Sequence, residues 1–224
     1  MPTPVTIDIV SDVMCPWCYI GKKRLEKALG SLDDSIPVDV RWRPFQLAPT
    51  LPPEGKDRRQ YLSEKFGGDG RAAKIYQAVR EAGQYEGIAF DFEAIGKAPN
   101  TLDSHRLIRW AASGGEGAQD RVVTRLFQLY FEEGADLTDR RVLLDAARDA
   151  GLDASIVEAL LAGDSDREAV QAEIAMASRM GVTGVPCFIL NGKYAVMGAQ
   201  DAGILADAIR QVSDAPARGV GTDG

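Results

Sequence analysis

Two cysteines two residues apart, at the point where a strand pattern becomes a helix pattern, limit this chain more than any other feature. They lie in "SDVMCPWCYIGKKRLEKAL", residues 11–29. Just upstream, "VTIDIV" (residues 5–10) alternates apolar and polar side chains and is rich in β-branched residues, so it reads as a strand. From residue 16 the pattern changes. Trp17, Ile20, Leu25 and Leu29 recur at near-helical spacing, and Lys22, Lys23 and Arg24 fill the opposite side, most simply as a solvated face. Gly30 supplies a stop. "IPVDVRWRPF" (residues 36–45) alternates again, with Val38, Val40 and Trp42 on one face, so the first 45 residues spell β-α-β.

After the Pro-rich "QLAPTLPPEG", nearly every segment to about residue 180 reads as helix: 57–66, 71–82, 100–112, 118–132, 139–149, 154–161 and 165–180. The breaks "FGGDG", "ASGGEG", "EEGADLTD" and "DAGLDA" combine glycine stops with Asp or Thr starts. Strand character returns after "GVTGVP". "CFILN" and "KYAVMG" meet across Asn191 and Gly192, a strong two-residue hairpin signal, and a helix over 202–212 follows. The order is therefore β-α-β, a helical block, then β-β-α.

A chain of 224 residues, 45% hydrophobic, is long enough for one large domain or a domain with a substantial insertion. The first strand begins almost at Met1, without a basic leader or an export-length apolar stretch, so the expected location is cytoplasmic. No segment approaches the length of a membrane span, and a net charge of -7 argues against nucleic acid as partner. Small molecules or other proteins are the expected partners, with thiols and disulfides among them if the cysteine pair is redox-active, and no membrane.

Cys15, Cys18 and Cys187 are too few and too oddly numbered for a structural disulfide framework. The cysteine pair can be a redox dithiol, half a metal site or two buried thiols. Tetrahedral zinc needs about four ligands. Three cysteines and the single His105, remote on a helical stretch, barely supply them, so the site is expected to hold no metal. A strand before the motif and a helix after it is the context in which such a pair reads as thioredoxin-like. Free N–H groups and the dipole at a helix N-terminus favour thiolate over thiol, and Cys15 has that placement. Pro16 suits the first helical position and keeps the turn rigid, which is expected to leave Cys15 exposed with Cys18 about one turn further in. An attacking thiolate and a resolving thiol can then exchange disulfides in either direction.

Three separated segments, "SDVMCPWCYIGKKRLEKAL", "RWRPFQLAP" and "GVTGVPCFILNGKYAVMGAQ", together with "NTLDSHRLIRWA", resemble the DsbA-like thioredoxin-fold proteins. The likeness is greatest to the FrnE-type branch, itself related to 2-hydroxychromene-2-carboxylate isomerases and kappa-class glutathione transferases. It implies an α/β thioredoxin fold, β-α-β and β-β-α, with a large helical domain between the halves. The implied boundaries are 1–48 and 176–213 for the thioredoxin parts, 49–175 for the insertion and 214–224 for a flexible tail. It also implies Cys15 as nucleophile, Cys18 as resolving thiol, and Pro186 as a cis-proline facing them. The Val185 backbone would then pair with an extended substrate. Pro16 and Trp17 would form part of the substrate contact.

The related isomerases and transferases have serine where this chain has Cys15, which favours redox chemistry. No bound organic cofactor is expected. Glutathione is a candidate redox partner or cosubstrate, with Gln200 and Asp201 in the stretch where those relatives hold its γ-glutamyl end. The alternative for Asp201 is a simple helix cap. A glutathione-dependent isomerase or transferase and a non-enzymatic redox or metal-sensing module are the competing functions.

Asp12 is either a proton carrier for the thiols or a loop carboxylate bonded to the turn. His105 reads as structural rather than catalytic, Trp42 and Trp110 as core, and Trp17 as partly exposed. Cys187, on a strand, is expected to be a buried inert thiol. The helical block is expected to cover the face beside Cys15 and set substrate access.

Overall fold

The computed structural model describes residues 3–214, apart from the side chain of Asp69. Of the expected flexible tail, 214–224, Asp214 instead ends the last helix, and the rest lies outside the described residues. β1 (Val5–Ser11) leads into α1 (Pro16–Leu29) and returns as β2 (Val38–Pro44), paired in parallel from Val5↔Val38 to Ser11↔Pro44. β5 (Cys187–Leu190) runs antiparallel to β1, and β6 (Tyr194–Met197) antiparallel to β5, giving the sheet order β2-β1-β5-β6. The expected two-residue hairpin is corrected to a three-residue connection, Asn191 to Lys193, because Leu190 pairs with Tyr194; Asn191 at φ 49° and Gly192 at φ 66° still take the left-handed backbone that reverses the chain, and the Lys193 N–H donates to the Leu190 carbonyl. α9 (Ala202–Asp214) closes the fold and packs on α1 and β1.

Between β2 and β5 run α2 (Arg58–Phe66), α3 (Asp69–Tyr85), α4 (Leu102–Ala111), α5 (Ala118–Phe131), α6 (Arg140–Asp149), α7 (Ala154–Ala162) and α8 (Arg167–Arg179). Side chains of Asp57, Asp139 and Asp153 accept backbone N–H groups at the starts of α2, α6 and α7, as their place before apolar periodic runs suggests. Two features escape periodicity altogether. β3 (Lys56–Asp57) and β4 (Lys97–Ala98) form a two-residue antiparallel pair that ties the entry of α2 to the chain before α4.

The sheet is covered on both faces. Phe188 and Leu190 turn into the main core with Ile7 and Ile9, while Cys187 and Ile189 alternate to the other face with Val10, Ala177 and Val182. The main core runs without a break from β1 and α1 through Phe127 and Phe131 of α5 to Leu143 and Val157. The insertion and the sheet therefore share one hydrophobic interior. α8 packs against β2 and α4, so a boundary at residue 175 falls inside a continuous helix.

The expectation of a solvated Lys22-Lys23-Arg24 face is corrected. Lys22 is 2% exposed and bonds to Glu26 and Asp120, because α5 packs where open water was expected. Arg24 pairs with Glu86 and Asp201 and donates to the Ala199 carbonyl. Only Lys23 keeps a local partner alone, Glu26. Trp110 is likewise half-buried rather than core, its Nε1 donating to Asp166 at 2.8 Å, whereas Trp42 is buried.

Candidate active site

Cys15 is the N-cap of α1, with extended backbone (φ -95°, ψ 112°) and Pro16 opening the helix, where its missing N–H leaves no bond unmade. The turn is held by Cys15 N–H donating to the Asp12 carbonyl and Cys18 N–H to the Cys15 carbonyl, both at 3.0 Å. Cys15 Sγ meets the Val185 carbonyl at 3.7 Å, and the Val185–Pro186 peptide is cis.

The sulfur is less open than the sequence suggests. Cys15 is 5% exposed, because α2 and α3 lean over it and form a cavity of about 130 Å3 walled by Trp17, Leu47, Tyr61, Leu62, Tyr76 and others. Trp17 stands at the rim, 36% exposed. The expected exposed nucleophile is therefore corrected to one reached through a narrow apolar opening.

Cys18 lies deeper, 1% exposed. Burial pushes its thiol well above its usual range, its hydrogen bond to Cys15 and the Cys15 charge add to that, and contacts with Ser11 and the Asp12 backbone oppose it. A proton thus stays on the inner sulfur while the outer one faces the cavity. Cys187 is fully buried on the opposite face of the sheet from this pair, and burial raises its thiol too.

Asp12 is fully buried. One carboxylate oxygen accepts the Leu47 N–H at 2.7 Å; the other lies 3.5 Å from the Met14 N–H and 3.4 Å from His105 Nε2. His105, 3% exposed on α4, is 2.8 Å through Nε2 from the Phe45 carbonyl, which requires that nitrogen to carry hydrogen and donate. Asp12 and His105 thereby join the active-site turn, the segment after β2 and α4.

Gln200 and Asp201 lie at the start of α9, and neither lines the cavity at Cys15. Gln200 Nε2 donates to the Met197 carbonyl, and the exposed Asp201 carboxylate pairs with Arg24 at 3.2 Å while its carbonyl accepts the Leu205 N–H. The Asp201 side chain thus faces α1 instead of capping its own helix.

Gly21 is a positioning residue that motif reading missed. A Cβ there would lie 2.9 Å from Pro186 Cγ and 3.3 Å from Phe188 Cζ, so only glycine lets α1 approach the Pro186 turn. A glycine in mid-helix, at a cost of about 1 kcal/mol against alanine, was the available signal. Among the described residues no three His, Cys, Asp or Glu side chains gather as a metal site, and no helix is long and apolar enough to cross a membrane.

Comparison with known proteins identifies the family to which this fold belongs. The chain is 27% identical to the uncharacterized protein YwbO of Bacillus subtilis over 92% of its length and 96% of that protein. It is similar to the solved structure of a probable DsbA oxidoreductase from Streptomyces coelicolor, at 31% identity and TM-score 0.85, covering 93% of this chain and 89% of that one. More distant folds include a 2-hydroxychromene-2-carboxylate isomerase (TM-score 0.69, 20% identity, 92% and 95% covered). The cytosolic disulfide reductase DsbM of Pseudomonas aeruginosa with glutathione is another (TM-score 0.57, 20% identity, 93% and 95% covered). The family model described as a DSBA-like thioredoxin domain matches residues 6–210, nearly the whole described chain, and the protein belongs to that DsbA-like thioredoxin family.

Proposed function

We propose that the protein is a thiol-disulfide oxidoreductase with Cys15 as nucleophile and Cys18 as resolving thiol. The observation that carries this reading is the placement of Cys15 at the N-cap of α1, opposite the Val185 carbonyl, with the protonated Cys18 one turn below.

In the reducing direction the Cys15 thiolate attacks one sulfur of a disulfide, that S–S bond breaks, and the departing thiolate takes a proton. Cys18 then gives up its proton and attacks the Cys15 sulfur, releasing the second thiol. The substrate has gained two electrons and the protein holds a Cys15–Cys18 disulfide; the reverse sequence oxidises a dithiol. Asp12 is the candidate proton carrier, since it is buried beside the motif and the Cys18 proton is otherwise sealed from water. Pro16 and Trp17 line the cavity at Cys15 and would contact the substrate there, while the Val185 backbone, whose carbonyl lies 3.7 Å from the sulfur beside the cis Pro186, would pair with it.

Glutathione is a natural partner for such a site, and a solved relative holds it. With the Gln200 and Asp201 side chains already engaged, a γ-glutamyl carboxylate would meet the backbone N–H groups at the start of α9. A 2-hydroxychromene-2-carboxylate isomerase shares the fold, and were this chain instead a glutathione-dependent isomerase or transferase, its turnover would survive loss of Cys18. A redox-sensing module would change conformation on oxidation without turnover. The location proposed for this chemistry is the cytoplasm.

The deciding experiment is the redox equilibrium of the purified protein in glutathione buffers, trapped by alkylation, for the wild type and for Cys15→Ser, Cys18→Ser and Cys187→Ser. A reversible disulfide lost in the first two variants and kept in the third supports the proposal. A potential near roughly -200 mV or higher indicates an oxidase or isomerase and one near about -270 mV a reductase. Failure to form the disulfide overturns it.

A further inference from the structure

A cavity of about 370 Å3 adjoins the one above Cys15, and Leu62 and Tyr76 are walls of both. Its other lining includes Arg58, Arg80, Gln77 and Phe92. Both guanidinium groups lie over the Phe92 ring, at 5.5 and 5.4 Å, and Arg58 also lies 4.7 Å from the Tyr76 ring. Arg80 is balanced by Glu93, which also lines the cavity. Arg58 is different. Its Nη1 donates to the Phe92 carbonyl, its Nη2 is buried without an acceptor, and no carboxylate pairs with it among the described residues. The phenols of Tyr76 and Tyr130 lie within hydrogen-bonding reach of the Arg58 guanidinium, although neither completes the geometry of a bond at Nη2. Glu93 feels the Arg58 charge across the cavity but pairs with Arg80, so in a chain of net charge -7 Arg58 is a half-buried cation with no carboxylate in direct contact among the described residues.

We infer that this cavity is a carboxylate subsite, and that the thiols or disulfides exchanged at Cys15 carry an acidic group that pairs with Arg58. The inference rests on the proposed exchange reaction and names its substrate class. A planar fork with one arm unused matches a carboxylate, and the aromatic faces hold the guanidinium in place. A turn of the guanidinium toward the cavity brings the idle N–H onto the anion. The shared walls put a sulfur at Cys15 and an acid at Arg58 within one small molecule or one extended segment. Ala72 and Ala73 on α3 leave the space for it.

The test compares dithiodiglycolate, a dianion, with the neutral hydroxyethyl disulfide of similar length. Consumption of each by reduced protein is followed by alkylation, and each rate is normalised to that with a free small thiol. The wild type is expected to prefer the dianion by roughly ten- to hundred-fold, Arg58→Gln to lose that preference while keeping the neutral rate within about two-fold, and Arg58→Lys to fall between. Persistence of the preference in Arg58→Gln, equal slowing of both substrates, or consumption of both by the wild type without preference overturns the subsite.

A second arm does not depend on redox chemistry: calorimetric titration of Cys15→Ser with thiodiglycolate and with neutral thiodiglycol. Saturable binding of the dianion alone, weakened at least about ten-fold when Arg58→Gln is added, supports the subsite. Absence of binding overturns it. Should the wild type consume neither disulfide while the dianion still binds through Arg58, the exchange reading falls and the subsite stands. If Arg58→Gln does not fold, the comparison of wild type with Arg58→Lys decides, a preference unchanged in the lysine variant counting against the fork.

Discussion

Cys15 Sγ and the Val185 carbonyl oxygen, 170 residues apart in sequence, lie 3.7 Å apart, across the turn that enters β5 through the cis Val185–Pro186 peptide. The contact joins the first half of the thioredoxin fold to the last, so in the proposed exchange reaction a sulfur bound to Cys15 would lie against the Val185 backbone. Cys18, one turn inward and more than protected enough to keep its proton, waits beneath the same atom.

The two sulfurs should therefore separate cleanly under mutation. With oxidised glutathione, Cys18→Ser is expected to accumulate one glutathione adduct at Cys15, because the mixed disulfide forms and nothing resolves it. Cys15→Ser should accumulate none under the same conditions, since Cys18 is sealed and protonated. Intact-mass measurement after acid quench reads both. An adduct on Cys18 in the Cys15→Ser protein would show that the inner thiol is accessible and would reverse the assignment.

Gly21→Ala should destabilise the protein, although alanine is the better helix former. The added methyl meets the Pro186 ring at 2.9 Å, and a ring cannot swing aside as a long flexible side chain can. Overpacking of this kind costs about 1–3 kcal/mol against the roughly 1 kcal/mol gained from helix propensity. The urea midpoint is expected to fall at unchanged m-value, and the Cys15 alkylation rate to change as the Pro186 turn moves. A raised midpoint would mean that α1 and the turn are not in close contact.

Much of this site was legible before any coordinates. The alternation of residues 5–10, the helical spacing from Trp17 to Leu29 and the left-handed Asn191-Gly192 pair are local signals, and the local elements follow them. What sequence could not supply is how segments far apart in the chain pack together. Lys22 looks like a surface lysine until α5 brings Asp120 to it, and Cys15 looks open until α2 and α3 cover it. Arg58 gives no pattern at all, because its distinction is one buried guanidinium nitrogen, Nη2, left without an acceptor in space.

Lys22 leads to a prediction about pH. Burial would raise the Glu26 carboxyl, but hydrogen bonds and charge from Lys22 and Lys23 outweigh it and hold that group below its usual range. A lowered native pKa means that the contribution of Glu26 is complete above its unfolded value, about 4.3, and is lost as pH falls through the native value. Lys22→Met removes the principal partner. It should cost about 1–2 kcal/mol near pH 7, less than for a fully buried pair because Glu26 and Asp120 can be rehydrated. Between about pH 5 and pH 3 the variant should then lose less further stability than the wild type. Parallel urea titrations check both parts, and equal acid sensitivity would show that Lys22 does not set the Glu26 ionisation.

Cys187 offers the sharpest separation of packing from redox chemistry. It follows Pro186 directly, yet strand alternation turns it to the face shared with Val10, Ala177, Val182 and Ile189, while Phe188 points to the α1 side. Its thiol is buried and pushed upward, which disfavours the thiolate needed for exchange. Cys187→Ala should therefore leave the Cys15–Cys18 equilibrium in glutathione buffer unchanged within about two-fold, while removing a buried sulfur should lower stability by about 1 kcal/mol. The same protein sample yields both numbers, one from alkylation and one from denaturant unfolding. A shift in the redox equilibrium without a loss of stability would place Cys187 in electronic or covalent contact with the pair, and the sheet would no longer be the barrier that its alternating side chains make it.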